Sequence, residues 1–191
     1  MKDFIIAELH ESIEVKKQAS KQLVPQIEAA ARLMISALKA GNKILIFGNG
    51  GSAADSQHLA AELIGRYRKD RRSLPAIALT TDTSIITSIS NDYSYEVVFS
   101  KQVEGLARKG DVAVGLSTSG NSRNVLVALE KAKELGCATI GFLGGDGGQI
   151  TEAVDVPITI PSKITARVQE SHITIGHIIC GLIENELFGR E

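Results

Sequence analysis

Five short apolar runs, separated by helical patterns, constrain this chain more than any other feature of its sequence. They are Lys43–Phe47, Ala76–Leu79, Val112–Leu116, Ala138–Leu143 and Val156–Ile160. Each is too short for a stable helix and rich in β-branched residues, so each reads as a strand. Helical patterns follow at Ser52–Arg66 and Ser122–Leu135, and a last one runs from about Thr165 to Phe188. Strands that are apolar on both faces and alternate with helices form a parallel sheet covered on both sides. The expected fold class is therefore α/β, a three-layer sandwich around a five-stranded parallel sheet. Residues 3–39 add N-terminal helix, broken near Pro25, with Ile6, Leu9 and Ile13 and then Ile27, Ala31, Met34 and Leu38 at helical spacing.

The chain has 191 residues, enough for one substantial core, and no linker, repeat or low-complexity segment divides it, so residues 1–191 read as a single domain. A net charge of −1 excludes nucleic-acid binding through bulk electrostatics. The basic stretch Arg66–Arg72 reads as a solvated loop. No run approaches the ~18 apolar residues of a membrane span, and charges interleaved in "MKDFIIAELHES" do not make a signal peptide. Cys137 and Cys180 lie in apolar surroundings without metal-site spacing, which fits buried free thiols in a reducing cytoplasm.

Open α/β sheets bind ligands beyond the carboxyl ends of their strands, and two strand-to-helix turns there carry ligand chemistry. In Gly48-Asn49-Gly50-Gly51-Ser52 the glycines let backbone approach a ligand and present amides at a helix start. The spacing fits neither nucleotide-binding glycine motif, so no nucleotide is expected, and a plain tight turn would look similar. In "GLSTSGNSRN" the hydroxyls of Ser117, Thr118, Ser119 and Ser122 crowd a helix start. Helix capping needs one such residue; four make a cup for an anion. No lysine lies inside it, which suits a sugar phosphate better than a triphosphate with magnesium.

His58 and Glu62 are four residues apart and share a helical face. The last helix brings Gln169, Glu170, His172 and His177. His177 sits in the apolar run Ile173–Ile183, where an imidazole needs a partner. A carboxylate with a histidine suits proton shuttling between adjacent carbons of a phosphorylated sugar. The set His58, Glu62 and His177 equally suits a divalent metal, zinc by default. Gln169 and His177 are eight residues apart, roughly 12 Å along a helix, too far for easy shared ligation, and His172 lies about 140° around the axis from His177.

The segments "GNGGSAADSQHLAAEL", "STSGNSRNV" and "RVQESHITIGHIICGLIE" resemble the sugar isomerase (SIS) domain family over essentially the whole chain. The resemblance implies a flavodoxin-like sandwich assembled as a homotetramer with active sites at subunit interfaces. It implies an aldose–ketose isomerase converting sedoheptulose 7-phosphate to D-glycero-D-manno-heptose 7-phosphate through an enediol, the entry to ADP- and GDP-heptose for bacterial lipopolysaccharide and related glycans. By the same resemblance zinc is held by His58, Glu62, Gln169 and His177, with Glu62 as base and His177 as acid. Ser117, Thr118, Ser119 and Ser122 map onto phosphate contacts, and Asn49, Gly50, Gly51, Asn91 and Asp92 onto other sugar contacts; Ser52 matches a neighbouring position. Two rivals share the fold. One is a non-catalytic relative that binds the bacterial replication initiator, which lacks Glu and His at the positions of Glu62 and His177 and tends to carry a charge at that of Ser119. The other is a module that senses a sugar phosphate without turning it over.

Overall fold

A computed structural model describes residues 1–189. Strands β1 (Ile44–Gly48), β2 (Ala76–Ala78), β3 (Val112–Ser117), β4 (Ala138–Gly144) and β5 (Val156–Ile160) form one parallel sheet in the order β2-β1-β3-β4-β5. This is the expected α/β sandwich. The two-residue period of each strand divides the core in two. Ile44, Ile46, Val112, Val114, Leu116, Ile140 and Phe142 face α1 (Lys2–Gln22), α2 (Val24–Lys39), α3 (Gly51–Ile64) and α8 (Thr165–Phe188). Leu45, Phe47, Ala113 and Leu143 face α5 (Val98–Leu106), α6 (Arg123–Glu134) and α7 (Ile150–Ala153). The chain leaves β1 for α3 on one face and leaves β3 for α6 on the other. The neighbouring ends of β1 and β3 therefore open a crevice between the diverging connections, where this topology binds ligands.

The N-terminal helices part at Leu23, two residues before Pro25. Pro25 occupies the first turn of α2, where its missing N–H costs nothing. Two further helices, α4 (Thr83–Asp92) and α5, fill the segment between β2 and β3. The sequence TSIITSISND of α4 is rich in Thr, Ser and Ile, weak helix formers. It is helical because the Asp82 carboxylate accepts from the Ile85 amide at 2.9 Å and because Ile86 and Ile89 pack on the core. The Arg66–Arg72 loop is not simply solvated: the Arg71 side chain is 2% exposed and pairs with Glu184. Among the described residues both cysteines are free and buried, and no helix is long and apolar enough to cross a membrane.

His172 ties α8 to the sheet. It is fully buried, and its Nε2 lies 2.9 Å from the Leu143 carbonyl of β4. A carbonyl only accepts, so Nε2 carries the proton and Nδ1 faces the core as an unpartnered lone pair. Burial drives the imidazole pKa down to about 4, against a weaker upward pull from the Leu143 carbonyl. The unfolded chain takes up this proton below about 6.5 and the folded chain only below about 4. Stability should therefore fall as pH drops through that window, by about 3 kcal/mol once it is crossed. Urea unfolding at pH 7 and pH 5 should show about 2 kcal/mol of this loss, since pH 5 lies within the window, and His172→Gln should flatten it; an equal slope in the variant would assign the acid sensitivity to other groups.

Candidate active site

The crevice between β1 and β3 is lined by Asn49, Gly50, Gly51 and Ser52 on one side and by Leu116, Ser117, Thr118 and Ser122 on the other, with Thr165 and Gln169 of α8 closing it. Gly50 starts α3 at φ +57°, a conformation that L side chains rarely adopt. Ser117 Oγ lies 2.9 Å from Ser122 Oγ and accepts from the Ser122 amide at 3.3 Å. Ser122 stands at the N-terminus of α6, yet its side chain makes no capping hydrogen bond. Its hydroxyl faces Ser117 rather than the helix amides, so capping does not explain this serine. Ser119 Oγ accepts from the Asn121 amide at 3.2 Å, and the Asn121 side chain accepts from Gln149 N at 3.1 Å. Gly120, at φ +66°, lies so close to Gly147 that a Cβ would sit 2.0 Å from that carbonyl. The hydroxyl-rich turn is thus pinned from behind, and its open side faces the crevice where α6 presents its positive end.

Helices α3 and α8 run side by side in the same direction: Gly51 meets Gln169, Leu59 meets Gly176, and His58 meets His177. His58 Nε2 lies 2.8 Å from His177 Nε2 and 3.2 Å from Glu62 Oε1. One ligand atom from each of the three residues lies within 4.8 Å of the other two. Ligand atoms this close can converge on one cation, and two imidazoles with a carboxylate suit zinc. The three residues therefore fit a divalent metal. His58 is exposed, while Glu62 and His177 are half-buried. Asp55, one turn before His58, has a buried, unpartnered Oδ2, and burial raises its carboxyl against the opposing pull of His58.

Gln169 lies at the other end of this helix pair. A Cβ on Gly51 would meet its Nε2 at 2.3 Å, so within one chain its amide abuts the glycine turn. Glu170 turns away to pair with Arg167 at 2.9 Å. Asn91 and Asp92 are exposed at the end of α4 and bonded to each other at 2.9 Å. Asn124, which no motif marks, exchanges two 2.9 Å hydrogen bonds with Asn49 through its side chain. The Tyr95 hydroxyl donates to Asn49 Oδ1 at 3.0 Å. Both hold the Asn49 side chain over the crevice. Asn124 follows "GNSR" directly and offers the one local signal; Tyr95 is reached only through the fold.

The SIS domain family model matches residues 9–144. A protein named phosphoheptose isomerase from Geotalea daltonii is 59% identical over 97% of this chain and 96% of its own, and one from Clostridium acetobutylicum is 54% identical over 100% and 98%. Among solved structures, phosphoheptose isomerase GmhA from Neisseria gonorrhoeae superposes with a TM-score of 0.92 at 47% identity, covering 96% of this chain and 98% of that one. The sugar isomerase domain of an RpiR transcription factor from Sphaerobacter thermophilus, at 18% identity and a TM-score of 0.64 over 95% of this chain and 89% of its own, shares the fold alone. The chain belongs to the SIS domain family, on its phosphoheptose isomerase branch.

Proposed function

We propose that this chain is a phosphoheptose isomerase, interconverting sedoheptulose 7-phosphate and D-glycero-D-manno-heptose 7-phosphate through an enediol. The observation that carries this reading is Glu62 meeting two imidazoles on the helix pair whose other end borders the hydroxyl cup. Gly51 and His58 are seven residues apart on α3, about 10 Å, and an extended heptose phosphate has that reach where a triose phosphate falls short. Ser117, Thr118, Ser119 and Ser122 hold the phosphate with the amides of α6. Asn49, the Gly50–Gly51 backbone, Ser52, Gln169, Asn91 and Asp92 serve the sugar hydroxyls. Glu62 removes the proton next to the carbonyl and returns it to the adjacent carbon, while His177 exchanges a proton with the oxygens.

Zinc is the proposed metal, held by His58, Glu62 and His177; when bound it supplies positive charge opposite the developing oxyanion. Gln169 enters the ligand set in this proposal only from a second subunit, given its place beside Gly51. The proposed assembly is a homotetramer of single SIS domains, and its support is α1, which exposes Phe4, Ile6, Leu9 and Ile13. The two buried free thiols support a reducing cytoplasm. Entry to ADP- and GDP-heptose is the proposed metabolic role.

Turnover of sedoheptulose 7-phosphate in D₂O should place solvent deuterium on the carbon beside the carbonyl, as read by NMR. Chelation should remove activity, and Glu62→Gln should lower kcat by at least about 100-fold. No turnover from a folded oligomer would turn attention to binding of the replication initiator, tested by pull-down. Converting Ser119 and Ser122 together to Ala should raise KM by about 10-fold or more with kcat little changed; an unchanged KM would move the phosphate elsewhere. Leu9→Glu with Ile13→Glu should dissociate the assembly in sedimentation and cost activity, and an intact active oligomer would separate α1 from the interface.

A further inference from the structure

We propose that Tyr67 is a positioning residue: its ring holds the His177 imidazole in place, and the buried Glu184–Arg71 pair holds Tyr67. The inference rests on His177 being a metal ligand and proton carrier. The Tyr67 and His177 rings are stacked at 5.5 Å with 19° between their planes, while His177 meets His58 edge-on at 70°. Tyr67 also lies over Gly181, one turn beyond His177, where a Cβ would come within 3.3 Å of its ring. The aromatic ring therefore covers the α8 surface on which His177 would otherwise rotate.

The loop carrying Tyr67 is fixed by charges brought inside the protein. Glu184 accepts from the amides of Tyr67, Arg68 and Lys69 at 2.9, 2.9 and 3.2 Å, and from Arg71 Nε at 3.1 Å. Arg71 donates onward to the carbonyls of Glu62, Leu63 and Gly65, closing the end of α3. Both side chains are 2% exposed. Burial alone would raise the Glu184 carboxyl, but the three amides and Arg71 outweigh it and hold it low. A solvated loop needs no such desolvated pair. Here the pair joins the end of α3 to α8, one turn beyond Glu62 and two beyond His177, and delivers Tyr67 to the imidazole.

The test compares Tyr67→Phe, Tyr67→Leu and Tyr67→Ala with wild type and His177→Gln, by cobalt(II) titration of the chelated proteins and by steady-state kinetics with sedoheptulose 7-phosphate. Loss of the ring in the Ala and Leu variants should weaken cobalt binding and lower kcat by about 10-fold or more, with KM within about twofold. The Phe variant keeps the stack and should restore both. If His177→Gln loses cobalt while the Ala and Leu variants bind it like wild type, the stack has no positioning role; wild type that binds no cobalt overturns the proposal as well. If wild type binds cobalt but does not turn over, the isomerase reading falls, and the cobalt series alone still decides the role of Tyr67.

Discussion

The site depends on how closely α3 and α8 approach one another. They run parallel, and at two levels one helix offers no side chain: Gly51 admits the Gln169 amide, and Gly176 admits Leu59, whose Cδ2 would lie 2.4 Å from a Cβ there. Leu59 is buried in the core and has little room to yield. Close approach brings His58 and Glu62 of one helix to His177 of the other. On widely spaced helices the His58–Glu62 pair and His177 would remain apart. Parallel direction matters equally, because it sets the glycine turn and Gln169 at one end of the pair and the titratable cluster further along.

The sheet supplies the second half of the arrangement. Connections from β1 and β3 leave to opposite faces, so the ends of these two neighbouring strands stay uncovered. The glycine turn leaves β1 and the serine-rich turn leaves β3, and both reach the crevice without any further device. What the fold adds is rigidity. Asn124 and Tyr95 hold Asn49, Gly120 locks against Gly147, and the Glu184–Arg71 pair closes the far end. Polar side chains are thereby held before any ligand arrives, which lowers the ordering cost of binding.

Much of this was legible from residues. The five strands and the helices after β1 and β3 announced themselves through runs and periods, and the pairing of His58 with Glu62 follows from spacing on one helix. The serine-rich turn suggested an anion because its hydroxyls exceed the needs of a cap; in the fold the Ser122 side chain makes no cap. Helix α4 was not legible, since its Thr, Ser and Ile residues favour helix only when docked. The burial of Arg71 was not either, because a basic run looks the same whether its charges meet water or a carboxylate 113 residues away.

By itself, then, the sequence determined the local features that follow from short-range physics: strand runs, helix faces, the glycine turn, the hydroxyl cluster, and which residue types could carry protons or a metal. It also carried the resemblance to the SIS domain family. Only the tertiary structure decided that His177 faces His58 across 119 residues, that Gln169 stands at the glycine turn, and that Tyr67 covers the imidazole. The reason is one of range. Periodicity and capping act over a few residues, while the meeting of α3 with α8 is set by the packing of both against one sheet, through contacts that no local pattern encodes.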